Sequence, residues 1–228
     1  MNKFIVMGQP RGGSTALRTA IGNHSEVECF HEILHPELAA RQPCTGQSGR
    51  VPLTSDEAKR ELEKLTTKLK FLGFHYNFGD SDHERLVESW LDKAILIDRK
   101  NQYDRWKSFY FALQYKQWHQ WVGTDHNPQK IKIPEEIIVE QKSFPEISDF
   151  IIKHSKIRED MLNWASNLDH LIVDYDDFCH SPDDSLEKAQ KFLGLKIEKI
   201  SSQTRKFKTR NIINEPEILD YLKSKGLS

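Results

Sequence analysis

FIVMGQPRGGSTALRTAIGN, Phe4 to Asn23, is the stretch from which the fold is read. Phe4 to Met7 is a short apolar run ending in Gly8, the pattern of a strand buried on both faces of a parallel sheet. Leu17, Ala20 and Ile21 then recur at helical spacing until Gly22-Asn23 stops them. Between strand and helix lies GQPRGGST, Gly8 to Thr15, where helix amides and the positive end of the helix dipole meet a glycine-containing turn. Gly12 and Gly13 let the backbone approach an anion closely. Set against the ATP-binding pattern G-x-x-x-x-G-K-[ST], Gly8 and Gly13 have the right separation and Ser14-Thr15 follow, but the lysine is missing. Arg11 instead puts a guanidinium inside the loop, suited to bidentate contact with phosphate or sulfate oxygens. The segment predicts anion binding and leaves the anion open.

Outward from this unit, strand and helix patterns alternate. Residues 36 to 53 have little periodicity and read as a loop. Thr54 with Glu57 forms a capping box, and Leu62, Leu65 and Leu69 are expected to continue that helix at core spacing. Phe71 to Tyr76 and Ala94 to Ile97 read as strands, separated by the helical pattern Leu86, Val87, Trp90, Leu91. Trp106, Phe109, Tyr110 and Leu113 predict one apolar helix stripe, and Gly123 to Pro134 a polar loop. Helical signals run from about 135 to 168. Leu171 to Val173 is a fourth strand. Ser181-Pro182 followed by two aspartates starts a helix that Gly194 ends. The expectation is an α/β fold: a single domain, residues 1–228, with a parallel β-sheet flanked by helices.

The 228 residues, 37% hydrophobic and 29% charged, read as globular. With 33 basic against 34 acidic side chains, no global field draws the chain to nucleic acid. Arg205 to Arg210 concentrates four basic residues and reads equally as a solvated surface run or a local anion contact. Three widely spaced cysteines support neither a disulfide framework nor a zinc site. The apolar stretch in MNKFIVMG is too short for a signal peptide, and no window has the length of a membrane span, so a cytoplasmic location is expected.

A second polar constellation lies in ILIDRKNQYDRWKSFYFAL. Arg99 follows the Ala94 to Ile97 strand and Ser108 sits on the next helix, on the side of Asn101, Asp104 and Arg105. A dianionic phosphate calls for such an arginine and hydroxyl.

PRGGST, followed by a helix and then NHSEVECFHEILHP, resembles the opening of the PAPS-dependent sulfotransferases, whose phosphosulfate loop reads much like PRSGST. The likeness is to bacterial members with an acid in a "GE-I/L" context after the first helix; here that context is HEIL, with Glu32 in the acid place. The Arg99 to Ser108 segment resembles the family's 3'-phosphate motif, and VDYDDFCHSPDDSLEKAQKFLGL its "Y-E-D-L … P … FLGL" scaffold. The resemblance spans residues from about 4 to 220 with gaps in the middle.

It implies a P-loop nucleotide hydrolase-like architecture and a donor, 3'-phosphoadenosine-5'-phosphosulfate (PAPS), that leaves as adenosine 3',5'-bisphosphate. Arg11, Gly12, Gly13, Ser14 and Thr15 would hold the phosphosulfate, and Arg99 and Ser108 the 3'-phosphate. Lys208 and Arg210 would belong to a loop over the nucleotide. Glu32 is the expected general base, with His31 and His35 as rivals, and Arg11 the expected charge stabiliser. His75 stands where family members often carry a lysine, readable as a donor to the bridging oxygen or as a packed histidine. No metal is expected to be required, because Arg11 and the helix N-terminus can neutralise the leaving phosphate; in keeping with this the ten histidines are scattered and His31/His35 lack an evident third partner. The acceptor would be a small molecule or carbohydrate, with no nucleic-acid partner and no membrane span. Oligomeric state stays open. Two other readings remain: a P-loop kinase of a small molecule, and a nucleotide-binding module without catalysis.

Overall fold

The computed structural model describes residues 2–34, 54–78, 83–115, 129–135, 143–201 and 210–227. The chain divides into two compact units, residues 1–99 with 160–203 and residues 100–159 with 204–228.

The first unit is a parallel five-stranded sheet with helices against it. Its strands are β1 Asn2–Gly8, β2 Val27–Phe30, β3 Phe71–Asn77, β4 Lys93–Asp98 and β6 His170–Asp174, in the order β2-β3-β1-β4-β6. β1 is central, and Phe4 to Met7 are almost wholly excluded from solvent, which is why that strand is apolar at every position instead of alternating. Helix α1 (Ser14–Ile21) lays Leu17, Ala20 and Ile21 onto a core of Phe4, Val6 and Ile95 from the sheet and Leu186, Ala189 and Leu193 from α7 (Pro182–Leu193).

The capping box at Thr54 starts α2 (Ser55–Lys64) with both reciprocal bonds formed. The helix ends at Lys64, however, and Leu69 is exposed, so the expected Leu62-Leu65-Leu69 stripe is cut after Leu62. Helix α3 (Glu84–Trp90) leads into β4. Strand β2 and the short α6 (Tyr175–His180), capped by Asp174 accepting from the Asp176 and Asp177 amides, were not legible as elements. Ser181 precedes α7 as expected but makes no side-chain cap bond.

In the second unit, α4 (Gln102–Tyr115) stacks Tyr103 on Trp106 and Trp106 on Tyr110 at centroid distances of 5.8 and 5.3 Å. These pack with Ile147 and Ile151 of α5 (Phe144–Ala165) and with Ile218 and Leu222 of α8 (Glu215–Ser224). The buried face differs from the expected stripe. Leu113 is exposed, while Arg105 is sealed in, donating to Gln102 Oε1 at 3.0 Å and bonded to His154 Nδ1 at 3.1 Å. Burial and the Arg105 charge hold His154 down to about 4.

Two short parallel strands, β5 (Gln129–Ile131) and β7 (Arg210–Ile212), complete this unit, and β5 falls inside the stretch expected to be only loop. Asn214 joins them to the core, accepting from the Ile133 amide at 2.9 Å and donating to its carbonyl at 2.7 Å. The loop expected at 36 to 53 lies outside the described residues. Among the described residues no helix is long and apolar enough to cross a membrane.

Candidate active site

Open parallel sheets collect ligand-binding groups beyond the carboxyl ends of their strands, where the strand order reverses. Four strand ends deliver polar side chains there. β1 runs into the Gly8 to Thr15 loop, β2 is followed by Glu32, β3 carries His75, and β4 is followed by Arg99.

The loop is built for close approach. The Gly12 amide donates to the Gln9 carbonyl at 2.8 Å, closing a tight turn. Arg11 adopts φ 65°, a left-handed conformation uncommon for a side-chain-bearing residue and of the kind that gathers at functional sites. Gly13 follows at φ 95°, and a Cβ there would lie 2.8 Å from Tyr175 Cδ2, so both conformation and space require glycine. Gly13 is also the N-cap of α1, with no side-chain cap bond and no acidic residue in the first turn. The positive end of that helix is therefore not neutralised from within its own sequence.

Arg99 braces the loop. Its Nη1 donates to the Arg11 carbonyl at 3.1 Å, and its guanidinium stacks 4.4 Å from the Tyr175 ring centroid. Burial and the like charge of Arg99 pull Arg11 down to about 10. Two guanidiniums whose charges act on one another where Arg11 is shielded from water create a local positive field. Burial raises the Tyr175 phenol above its usual range. Tyr175 is one residue that sequence reasoning missed; the available signal was an aromatic two positions after the Leu171 to Val173 strand.

The other half of the site is a chain of three side chains. His75 is buried, with Nε2 2.6 Å from Ser14 Oγ. Its Nδ1 lies 3.1 Å from Glu32 Oε1. That contact has ion-pair distance but not hydrogen-bond direction, because Nδ1 is a buried atom without a hydrogen-bond partner among the described residues. His31 sets its ring edge-on to His75 at 5.9 Å and accepts the Glu32 amide at Nδ1, 2.9 Å away. Arg18, a second residue not foreseen, donates to the Cys29 carbonyl at 3.2 Å. Burial lowers its pKa, and the Cys29 and Glu32 charges partly offset this.

The expected site residues thus fall into three groups. Arg11, Gly12, Gly13, Ser14, Thr15, Glu32, His75 and Arg99 belong to the first unit. Ser108, on α4, and Arg210, opening β7, belong to the second. Lys208 and His35 lie outside the described residues.

The fold is that of the sulfotransferases. The chain is similar to the crystal structure of a sulfotransferase from Alicyclobacillus acidocaldarius, with TM-score 0.59 at 13% identity over 99% of this chain and 91% of that one. It is also similar to mouse sulfotransferase SULT7A1 complexed with PAP, with TM-score 0.51 at 13% identity over 98% of this chain. The match covers 64% of the mouse chain, so this protein spans less than two thirds of its length. No protein-family model and no curated sequence matches the chain.

Proposed function

We propose that this protein is a PAPS-dependent sulfotransferase, moving a sulfuryl group from PAPS to a hydroxyl or amine of a small-molecule or carbohydrate acceptor in the cytoplasm. The observation that carries the reading is the convergence, beyond the carboxyl ends of the strands, of the Arg11 loop, its Arg99 brace and the Glu32–His75 pair. We read residues 1–228 as one working sulfotransferase domain.

In this reading the acceptor oxygen or nitrogen attacks sulfur in line with the bridging oxygen. The new bond to sulfur forms as the sulfur–oxygen bond to the 5'-phosphate breaks, and adenosine 3',5'-bisphosphate leaves. Glu32 takes the acceptor's proton. Arg11 and the α1 N-terminus stabilise charge on the leaving phosphate, and Ser14 and Thr15 donate to the phosphosulfate oxygens. Gly12 and Gly13 keep that approach open. His75, bonded to Ser14 and facing Glu32, holds the donor loop and the base in register. Arg99 and Ser108 are assigned to the 3'-phosphate, and Lys208 and Arg210 to the loop over the nucleotide. No step in this scheme calls on a metal ion.

The test is release of adenosine 3',5'-bisphosphate from PAPS across a panel of hydroxyl and amine acceptors, with the sulfated product identified by mass. Glu32→Gln is expected to abolish turnover while retaining bisphosphate binding. Undiminished turnover in that variant would remove Glu32 from the role of base.

A further inference from the structure

We infer that His31, Glu32 and His75 form a binding site for a divalent transition-metal ion of the Zn²⁺ and Co²⁺ type. Spacing along the sequence could not show this, because the third member comes from β3. The ligand atoms of the three residues lie within 4.8 Å of one another, and among the described residues no other His, Cys, Asp or Glu trio comes so close. Two imidazoles and a carboxylate are a donor set that suits Zn²⁺ and leaves a fourth position open.

The contact between His75 and Glu32 is informative. Ligands about 2.1 Å from one ion stand about 3.0 Å apart at a right angle and about 3.4 Å apart at the tetrahedral angle. His75 Nδ1 and Glu32 Oε1 are 3.1 Å apart, yet their directions do not make a hydrogen bond. That leaves a buried ring nitrogen close to a carboxylate oxygen without a hydrogen bond to it, an arrangement that a shared cation resolves. A partner of the kind metal-bound histidines use is also in place: Ser14 Oγ lies 2.6 Å from Nε2 and can accept its proton, the tautomer in which Nδ1 is left to the ion.

His31 is the third ligand and the weakest. Its Nδ1 takes the Glu32 amide at 2.9 Å, which places the ring proton on Nε2, so either nitrogen must give up that arrangement before it coordinates. Arg18, whose charge reaches Glu32, works against any cation here. Weakly held Mg²⁺ and Ca²⁺, which prefer all-oxygen sites, are therefore not expected. The site stands on geometry alone, apart from the transfer reaction. If that reaction is also correct, Zn²⁺ inhibits it, because a coordinated Glu32 cannot accept the acceptor's proton.

The experiment is a titration of the whole chain with Co²⁺ without nucleotide, read by its visible ligand-field bands, with Zn²⁺ competition and thermal unfolding beside it. Wild type is expected to bind one Co²⁺ displaced by Zn²⁺, and Zn²⁺ to raise its melting temperature. Ser14→Ala is expected to weaken Co²⁺ by about tenfold. Glu32→Gln should weaken it further, and His31→Ala supplies a second ligand variant should either one fold poorly. Absence of bands in wild type would overturn the inference. So would equal binding by folded Glu32→Gln and His31→Ala, which would place the ion on other histidines. Cobalt binding without bisphosphate binding would sink the donor reading and leave this one; the converse would do the opposite.

Discussion

His75 Nε2 sits 2.6 Å from Ser14 Oγ, tying a strand of the sheet to the first residue of the helix that follows the phosphate-type loop. His75 and Ser14 are both buried, so neither polar group can turn to water if the other is removed. Ser14→Ala is expected to lower folding stability by about 1–3 kcal/mol. Ser14→Thr, which keeps a hydroxyl, should lose less. Urea unfolding of the three proteins decides it, and equal midpoints for Ala and wild type would mean the bond contributes nothing.

The left-handed glycines give a paired test. Gly194 has φ 78° with nothing within 4 Å of a built Cβ, so Gly194→Ala meets only backbone strain, about 1–2 kcal/mol. Gly13→Ala meets comparable strain and also Tyr175 at 2.8 Å. It should be the more destabilising of the two and should lose nucleotide binding as well, because the loop must open to admit the methyl group. A Gly13→Ala protein as stable as Gly194→Ala would argue that the Tyr175 contact is not close in solution.

Arg99 uses shape as well as charge. It donates to the Arg11 carbonyl while its guanidinium carbon sits 4.4 Å from the Tyr175 ring centroid, two contacts that a lysine cannot make together. Arg99→Ala is expected to weaken adenosine 3',5'-bisphosphate by about ten- to hundredfold, the scale of one charged hydrogen bond. Arg99→Lys should recover little of it. Full recovery by lysine would show that only the charge matters.

His154 predicts a pH dependence of stability in the second unit. Its ordinary pKa of 6.5 is lowered to about 4 in the folded protein. Between those values the unfolded chain binds the proton and the folded chain does not, so stability is complete above about pH 6.5 and falls as pH drops toward 4. His154→Gln removes the titrating group and should flatten that part of the profile. Thermal midpoints across this range test it, and identical slopes for the two proteins would exclude His154 as the source.

Much of this architecture was legible because it is local. Phe4 to Met7 declares a central parallel strand by being apolar at every position, and Thr54-Glu57 and Gly194 mark helix ends through backbone chemistry that needs no tertiary partner. What escaped depends on distant contacts. Val27 to Phe30 is an edge strand with only Val27 fully buried, so it carries no apolar run to read. Leu69 and Leu113 have helical spacing yet face solvent, while Arg105 is buried because Gln102 and His154 receive its guanidinium. The loop residues of the candidate site were visible as a motif. The pairing of Glu32 with His75, forty-three positions apart, was not, because only the register of β2, β3 and β1 brings them together.

The measurement that bears most directly on the donor assignment is calorimetric titration with adenosine 3',5'-bisphosphate beside ADP, without magnesium. On that assignment, tight bisphosphate binding, weak ADP binding, and a weakening of the former by about ten- to hundredfold in Arg99→Ala are expected. Preference for ADP, or binding that appears only with magnesium, would contradict it and favour a kinase-like use of the same loop.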